Sequence, residues 1–308
     1  MAEAGLGEVA LNITARCAGK CVYCPVAMTP RPPDPPQETL VAIVRQAVVL
    51  GARRLCLTGG EPFMVTSLTA VLAESRLSGL SVVISTSGVG VTAAALQAAE
   101  AAVGRARGVE VSLSLDTLDQ GIADELGRPP VAVALSALDA MIAAGWPWIP
   151  SVNLVLTELN FDDVLTVAEM CRDRNVGFGV QAVSRLLPGG GRPPDRILPC
   201  PDDPRLRHAL NALDVLRRSG LQITNSPAYL SGLGTSGGPQ TCALRVDRLC
   251  VDATLNAHTC WLMPSIGSLR DLGVAEAWGS EEAMRARASM ASGSCLDCTL
   301  RCFQDMAG

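Results

Sequence analysis

The chain has 308 residues, a formal net charge of −5, 48% hydrophobic residues and 3% aromatic residues. This length allows one large domain and a smaller one. The lack of a basic run argues against a nucleic-acid partner, and the first residues do not resemble a signal peptide. The longest apolar stretch, 131–150, is interrupted by Asp139 and Pro147, so a membrane span is not expected. Twelve cysteines without an export signal favour metal ligation in a reducing, cytoplasmic setting over disulfides.

Strand and helix patterns alternate through the first 182 residues. The alternation predicts an α/β fold made of parallel strand–helix units. Six such units predict a partial (β/α)6 TIM barrel, in which the chemistry lies at the carboxyl ends of the strands. The predicted strands are 9–13, 53–57, 81–85, 109–115, 149–156 and 177–182. The predicted helices are 37–50, 66–77, 91–103, 131–144 and 162–174.

The composition changes near residue 190. Pro188 to Pro204 is rich in proline and glycine and is typical of a connector. A helix is predicted over 205–219 and a hairpin over 245–251 and 255–259. These patterns predict a barrel in 1–190, a connector in 191–241 and a small domain in 242–308.

Cys17, Cys21 and Cys24 form a C-x3-C-x2-C run directly after the first predicted strand. Three thiolates on one loop can bind three irons of a [4Fe-4S] cluster and leave the fourth iron open. A structural zinc site is the main alternative, but such a site requires four ligands. No fourth cysteine or histidine lies within the next thirty residues.

This run resembles the signature of the radical S-adenosylmethionine (SAM) superfamily. The resemblance implies that the open iron chelates SAM and that SAM is cleaved to a 5'-deoxyadenosyl radical. It also implies an external one-electron reductant of the flavodoxin or ferredoxin type. A non-catalytic iron–sulfur electron carrier is the alternative from another class.

Further segments resemble the SAM-binding elements of the superfamily. Gly59, Gly60 and Glu61 precede Pro62 after the second predicted strand, and glycine lets a backbone approach a ligand closely. The resemblance implies cofactor-binding roles for this turn and for four further residues, with plain structural roles as the alternative. These four are Tyr23, Thr86, Ser114 and Arg128.

The cysteines of the last seventy residues resemble the Twitch form of the SPASM domain. The resemblance implies a second [4Fe-4S] cluster, with a zinc ribbon as the alternative. The implied ligands are Cys242, Cys260, Cys295 and Cys298, and Cys302 could replace one of the last two.

Cys250 belongs to neither predicted ligand pair, and it lies within the predicted hairpin. A free cysteine is commonly a small buried hydrophobe. The Twitch resemblance places this hairpin near the barrel mouth, where a thiol could give a hydrogen atom to a substrate radical. Cys250 is therefore the predicted catalytic residue.

An epimerase needs a thiol that returns a hydrogen atom to the substrate radical, and the spare hairpin cysteine could provide it. In a dehydrogenase, the substrate radical would instead pass an electron to the second cluster. The chain resembles aminoglycoside epimerases of the superfamily, of the type that converts neomycin C to neomycin B. A peptide-modifying maturase remains an alternative. An aminoglycoside is polycationic, so a carboxylate in the pocket is expected. Asp116, at the end of the fourth predicted strand, is the predicted substrate-binding carboxylate.

Overall fold

The structure is a computed structural model that describes residues 5–28, 31–187, 191–200, 202–233 and 247–291. The strands are β1 (Glu8–Asn12), β2 (Arg54–Thr58), β3 (Ser81–Thr86), β4 (Val109–Ser114), β5 (Trp148–Leu156), β6 (Gly177–Ala182), β7 (Arg248–Val251), β8 (Asn256–His258) and β9 (Gly267–Ser268). The helices are α1 (Pro25–Met28), α2 (Gln37–Val49), α3 (Ser67–Leu77), α4 (Ala93–Val103), α5 (Gln120–Glu125), α6 (Val131–Ala144), α7 (Asp163–Asp173), α8 (Pro204–Arg218), α9 (Pro227–Leu233), α10 (Val274–Gly279) and α11 (Glu281–Ala291).

A single sheet contains all of these strands in the order β6-β5-β4-β3-β2-β1-β7-β8-β9. The pairs from β1 to β6 are parallel, and helices connect these strands. The α/β class predicted from the alternation is therefore confirmed. Because the strands run in the same direction, the loops that follow them meet at one edge of the sheet, which we call the carboxyl edge.

Capping residues fix where the helices begin and end. Thr92 precedes α4, and its hydroxyl accepts a hydrogen bond of 3.1 Å from the backbone N–H of Ala95. Gly104 follows α4 with φ +70, and Gly145 follows α6 with φ +63. This left-handed region favours glycine, so both glycines end a helix at the predicted place.

The two faces of the sheet differ in polarity. Alternate strand residues such as Leu11, Leu57 and Ile84 belong to the large apolar core, together with residues of the surrounding helices. The residues between them point to the other face, because side chains alternate along a strand. This second face, which we call the polar face, carries Glu8, Asn12, Arg54, Cys56, Thr58, Ser112, Ser114, Arg248 and Cys250.

The C-terminal hairpin continues the main sheet. β7 pairs in parallel with β1, with Glu8 opposite Arg248 and Ala10 opposite Cys250. The Arg248 and Glu8 side chains form a buried ion pair of 2.9 Å. β8 then pairs antiparallel to β7, as the hairpin prediction requires. The strand predicted to belong to a separate small domain is thus hydrogen-bonded to the first strand of the predicted barrel.

None of the helices in the described part of the chain is long and apolar enough to cross a membrane.

Candidate cofactor site

The cysteine loop follows β1 at the carboxyl edge. Cys21 is buried, and Cys17 and Cys24 are half-buried. Burial raises the pKa of the Cys17 and Cys24 thiols, and the negative charge of a nearby Cys21 thiolate raises both further. Three soft thiol donors on one loop fit the ligand set of a [4Fe-4S] cluster.

A second loop holds the cysteine loop in place. The backbone N–H of Lys20 donates to the carbonyl of Gly127 at 2.8 Å, and that of Val22 donates to the carbonyl of Leu126 at 3.1 Å. This second loop connects α5 to α6 and also carries Arg128. Backbone hydrogen bonds thus join the loop with the predicted cluster ligands to the loop that carries Arg128, a predicted SAM residue.

The glycine turn after β2 packs directly on the cysteine loop. The N–H of Gly60 donates to the carbonyl of Thr14, and the N–H of Glu61 donates to the carbonyl of Arg16, both at 2.7 Å. A Cβ at Gly59 would collide with the Thr14 carbonyl, and one at Gly60 with the Arg16 carbonyl. We expected these glycines to admit a ligand. In the structure the backbone that they admit is that of the cysteine loop, and contact with SAM stays a prediction.

The Glu61 carboxylate is fully buried and connects the turn after β2 to the turn after β3. It accepts hydrogen bonds from Thr86 Oγ1 at 2.7 Å and from the N–H and Oγ of Ser87, both at 2.6 Å. It also accepts from the N–H of Phe63 at 3.1 Å. Burial raises the pKa of Glu61, and the bonds from Ser87 and Thr86 partly offset this effect.

The role of Ser87 was missed by sequence reasoning. Ser87 is not among the residues predicted for the site, yet it donates two of the hydrogen bonds to Glu61. The available signal was Glu61 itself, because a carboxylate between an apolar strand and a proline needs donors if it is buried. Thr86, predicted to bind the cofactor, donates to this same carboxylate.

Tyr23, Ser114, Asp116 and Arg128 come together at the ends of the cysteine loop and β4. The Tyr23 hydroxyl donates to Asp116 Oδ2, and Arg128 Nε lies 3.3 Å from the same oxygen. The Arg128 guanidinium also donates to the carbonyl of Ser114 and lies 3.5 Å from Cys21 Sγ. Four residues predicted separately as cofactor or substrate residues therefore form one network beside a predicted cluster ligand.

Asp116, the predicted substrate carboxylate, is only 1% exposed. Its other oxygen, Oδ1, accepts from the N–H of Val155 at 2.9 Å. Both carboxylate oxygens are thus occupied by groups of the protein, and neither is directed at open solvent. Binding of a substrate by Asp116 stays a prediction.

Cys250 lies on the polar face, between Ala10 of β1 and His258 of β8. It is fully buried, and burial raises the pKa of its thiol to about 12. Cys260 is also buried. The other predicted ligands of the second cluster, Cys242, Cys295 and Cys298, and the alternative Cys302 lie outside the described residues.

Within the described ranges, no three histidine, cysteine or acidic side chains are grouped so as to hold a single metal ion.

The fold and the site define a class: an α/β protein that gathers three thiols and a glycine turn at the carboxyl edge of parallel strands. Comparison with known families gives the class a name. The sequence model of the radical SAM superfamily matches residues 11–171, more than half of the chain. The chain belongs to the radical SAM superfamily. The family implies one [4Fe-4S] cluster, which the thiols of Cys17, Cys21 and Cys24 would hold.

Curated relatives carry several activities. A GTP 3',8-cyclase of Ectopseudomonas mendocina is 30% identical over 175 residues, which are 54% of this chain and 50% of that protein. A PqqA peptide cyclase of Streptomyces rochei is 33% identical over 207 residues, which are 61% of this chain and 55% of that protein. The chain spans about half the length of these relatives.

Solved structures support the fold over nearly the whole chain. SuiB of Streptococcus suis bound to S-adenosylmethionine superposes with a TM-score of 0.72 at 15% identity, covering 94% of this chain and 68% of that one. The enzyme anSMEcpe with bound AdoMet and a peptide superposes with a TM-score of 0.69 at 14% identity, covering 91% and 81%. At such identities the likeness concerns the fold alone.

Proposed function

We propose that the chain is a radical SAM epimerase in which the Cys250 thiol returns a hydrogen atom to the substrate radical. The observation that carries the proposal is the orientation and burial of the Cys250 side chain. It faces the polar side of the sheet and is fully buried, and this burial raises the pKa of its thiol to about 12. A hydrogen-atom donor must carry its hydrogen, and this thiol stays protonated at neutral pH.

The reaction balances with the groups named. When bound, the cluster and SAM would supply a 5'-deoxyadenosyl radical, with one electron from the external reductant cleaving SAM to methionine and this radical, which would take one hydrogen atom from a substrate carbon. Cys250 then gives its S–H hydrogen to the opposite face of that carbon and becomes a thiyl radical. One electron from the external reductant and one proton from water restore the thiol.

Several finer features belong to the same proposal. The parallel strands form a partial (β/α)6 barrel, and the C-terminal region forms a Twitch domain. A second [4Fe-4S] cluster would be held there by Cys242, Cys260, Cys295 and Cys298, with Cys302 as the alternative to one of the last pair. The substrate is a polycationic aminoglycoside, and the net charge of −5 is compatible with such a ligand.

Turnover in deuterated water tests the reaction type. Because thiol hydrogens exchange with solvent, we expect one deuterium in the product, at the inverted carbon. Mass spectrometry and NMR of the product measure this. A product two hydrogens lighter than the substrate would show a dehydrogenase and overturn the epimerase.

Substitution of Cys250 tests its role. We expect Cys250→Ala to continue cleaving SAM to 5'-deoxyadenosine while product formation falls at least about 100-fold, because the returning hydrogen is lost. Cys56→Ala is the matched control, since Cys56 is a second thiol on the polar face, two strands away. Equal turnover by Cys250→Ala and the wild type would remove Cys250 from the mechanism.

A peptide-modifying enzyme is the second candidate. The 33% identity to a PqqA peptide cyclase over 61% of this chain favours it. A mass change in a precursor peptide, together with 5'-deoxyadenosine release that depends on that peptide, would support this candidate over the aminoglycoside epimerase.

A further inference from the structure

Asp116 ties together separate parts of the chain at the carboxyl edge. One carboxylate oxygen accepts from the Tyr23 hydroxyl in the cysteine loop and faces Arg128 Nε at 3.3 Å. The other oxygen accepts from the N–H of Val155 in β5, at 2.9 Å. The side chain therefore joins the end of β4 to β5, to the cysteine loop and to the loop that carries Arg128.

The backbone of Asp116 is fixed as well. Its carbonyl accepts from the side-chain amide of Asn160 at 2.8 Å. The same amide donates to the Val155 carbonyl at 3.0 Å, and the Asn160 oxygen accepts from the N–H of Thr157 at 2.7 Å. Asn160 is fully buried, so these bonds are shielded from water. Asp116 is thus a rigid anchor rather than a free surface carboxylate.

Arg128 depends on this anchor for its orientation. Its guanidinium is largely buried, and it is directed at Asp116 Oδ2, the Ser114 carbonyl and Cys21 Sγ. A buried guanidinium needs a compensating charge, and Asp116 is the carboxylate in contact with it. A planar guanidinium that is held from two sides has little rotational freedom left. Arg128 is therefore preorganised for binding a ligand.

We propose that Asp116 is a positioning residue, which orients Tyr23 and Arg128 for SAM and does not itself bind the substrate. The proposal rests on the predicted SAM contacts of Tyr23 and Arg128 and on SAM use by the superfamily. It does not depend on whether the substrate radical is epimerised or oxidised. The same anchor also holds the cysteine loop, through Tyr23, against the end of β4.

SAM affinity of the reconstituted protein, measured by equilibrium dialysis without turnover, tests this role. Asp116→Asn keeps an acceptor for the Val155 N–H but loses the charge that faces Arg128. We expect SAM to bind about tenfold more weakly to Asp116→Asn, with the iron content unchanged. Asp139→Asn is the matched control, because Asp139 is exposed and pairs with Arg174 away from the site. We expect its SAM affinity to equal that of the wild type.

A double-mutant cycle separates positioning from general damage. Tyr23→Phe removes only the hydroxyl that donates to Asp116, so it preserves the fold even if Asp116→Asn does not. We expect Tyr23→Phe to weaken SAM binding several-fold, and the double variant to lose less than the product of the two single losses. The EPR change that SAM induces in the reduced cluster should weaken in parallel.

Unchanged SAM affinity in Asp116→Asn, or in Tyr23→Phe where Asp116→Asn fails to fold, would overturn the proposal. Normal SAM affinity with lost binding of the substrate would instead identify Asp116 as a substrate residue and overturn it in that way. Neither result tests the role of Cys250 as hydrogen-atom donor. That role is tested by the deuterium content and stereochemistry of the product.

Discussion

Glu61 illustrates how a single buried carboxylate organises two turns. It lies in the glycine turn, and its side chain accepts hydrogen bonds from the end of β3 and the turn that follows it. Its donors come from Phe63, Thr86 and Ser87, so the charge is shared among four hydrogen bonds. Removing the carboxylate would leave several donors buried without an acceptor, which costs more than the bonds themselves.

We therefore expect Glu61→Ala to lower the free energy of unfolding of the apoprotein by about 2–4 kcal/mol. Urea denaturation followed by circular dichroism measures the change. Glu125→Ala serves as the control, because Glu125 is an exposed partner of Arg196 and such pairs contribute at most about 1 kcal/mol. Equal losses in the two variants would contradict the assigned role of Glu61.

At the scale of elements, the turn between β7 and β8 is held by Asp252. Its Oδ1 accepts from the N–H groups of Thr254 and Asn256, at 2.8 and 2.9 Å. Burial alone would raise the pKa of Asp252, but hydrogen bonds from His258, Thr254 and Asn256 lower it to about 2. A folded-state pKa below the unfolded one means that the carboxylate stabilises the hairpin above the unfolded value, near 3.9.

This stabilisation should disappear in acid. We expect Asp252→Asn to be less stable than the wild type by about 1–2 kcal/mol at pH 6, and the difference to shrink as the pH falls from 4 toward 2. Urea unfolding at a series of pH values checks the prediction. A difference that stays constant between pH 6 and pH 2 would show that the charge of Asp252 is not the cause.

The elements themselves were largely predictable, and their long-range partners were not. All six strands from β1 to β6 lie within one residue of their predicted ends, because each is an apolar run bounded by turn residues. The hairpin was predicted from local pattern, yet its pairing with β1 joins segments far apart in sequence. The bond from Tyr23 to Asp116 spans 93 residues and likewise leaves no local signal.

At the scale of the whole molecule, a strand from the C-terminal region, β7, pairs with β1. β7, from the region after the connector, lies between β1 and β8 and buries Leu249, Cys250 and Val251 completely. Without β7, the outer edge of β1 would lack a partner strand. The buried Glu8 carboxylate would also lack the Arg248 guanidinium with which it forms an ion pair. Unpaired apolar edges favour aggregation.

We therefore expect a fragment of residues 1–190, the predicted barrel alone, to aggregate or remain partly unfolded. Gel filtration and near-ultraviolet circular dichroism, compared with the full chain, measure this. A monomeric fragment with native-like spectra would support the boundary predicted near residue 190 and show that β7 is dispensable for folding.

The position of β7 also has a consequence during synthesis. A ribosome adds about 5–20 residues per second, so β1 waits on the order of 10–50 s until β7, about 240 residues later, has been made. During that interval the first strand has an unsatisfied edge that other nascent chains can pair with. Because β1 receives its outer partner only late in synthesis, slower initiation of translation, which keeps nascent chains apart, should favour correctly assembled protein.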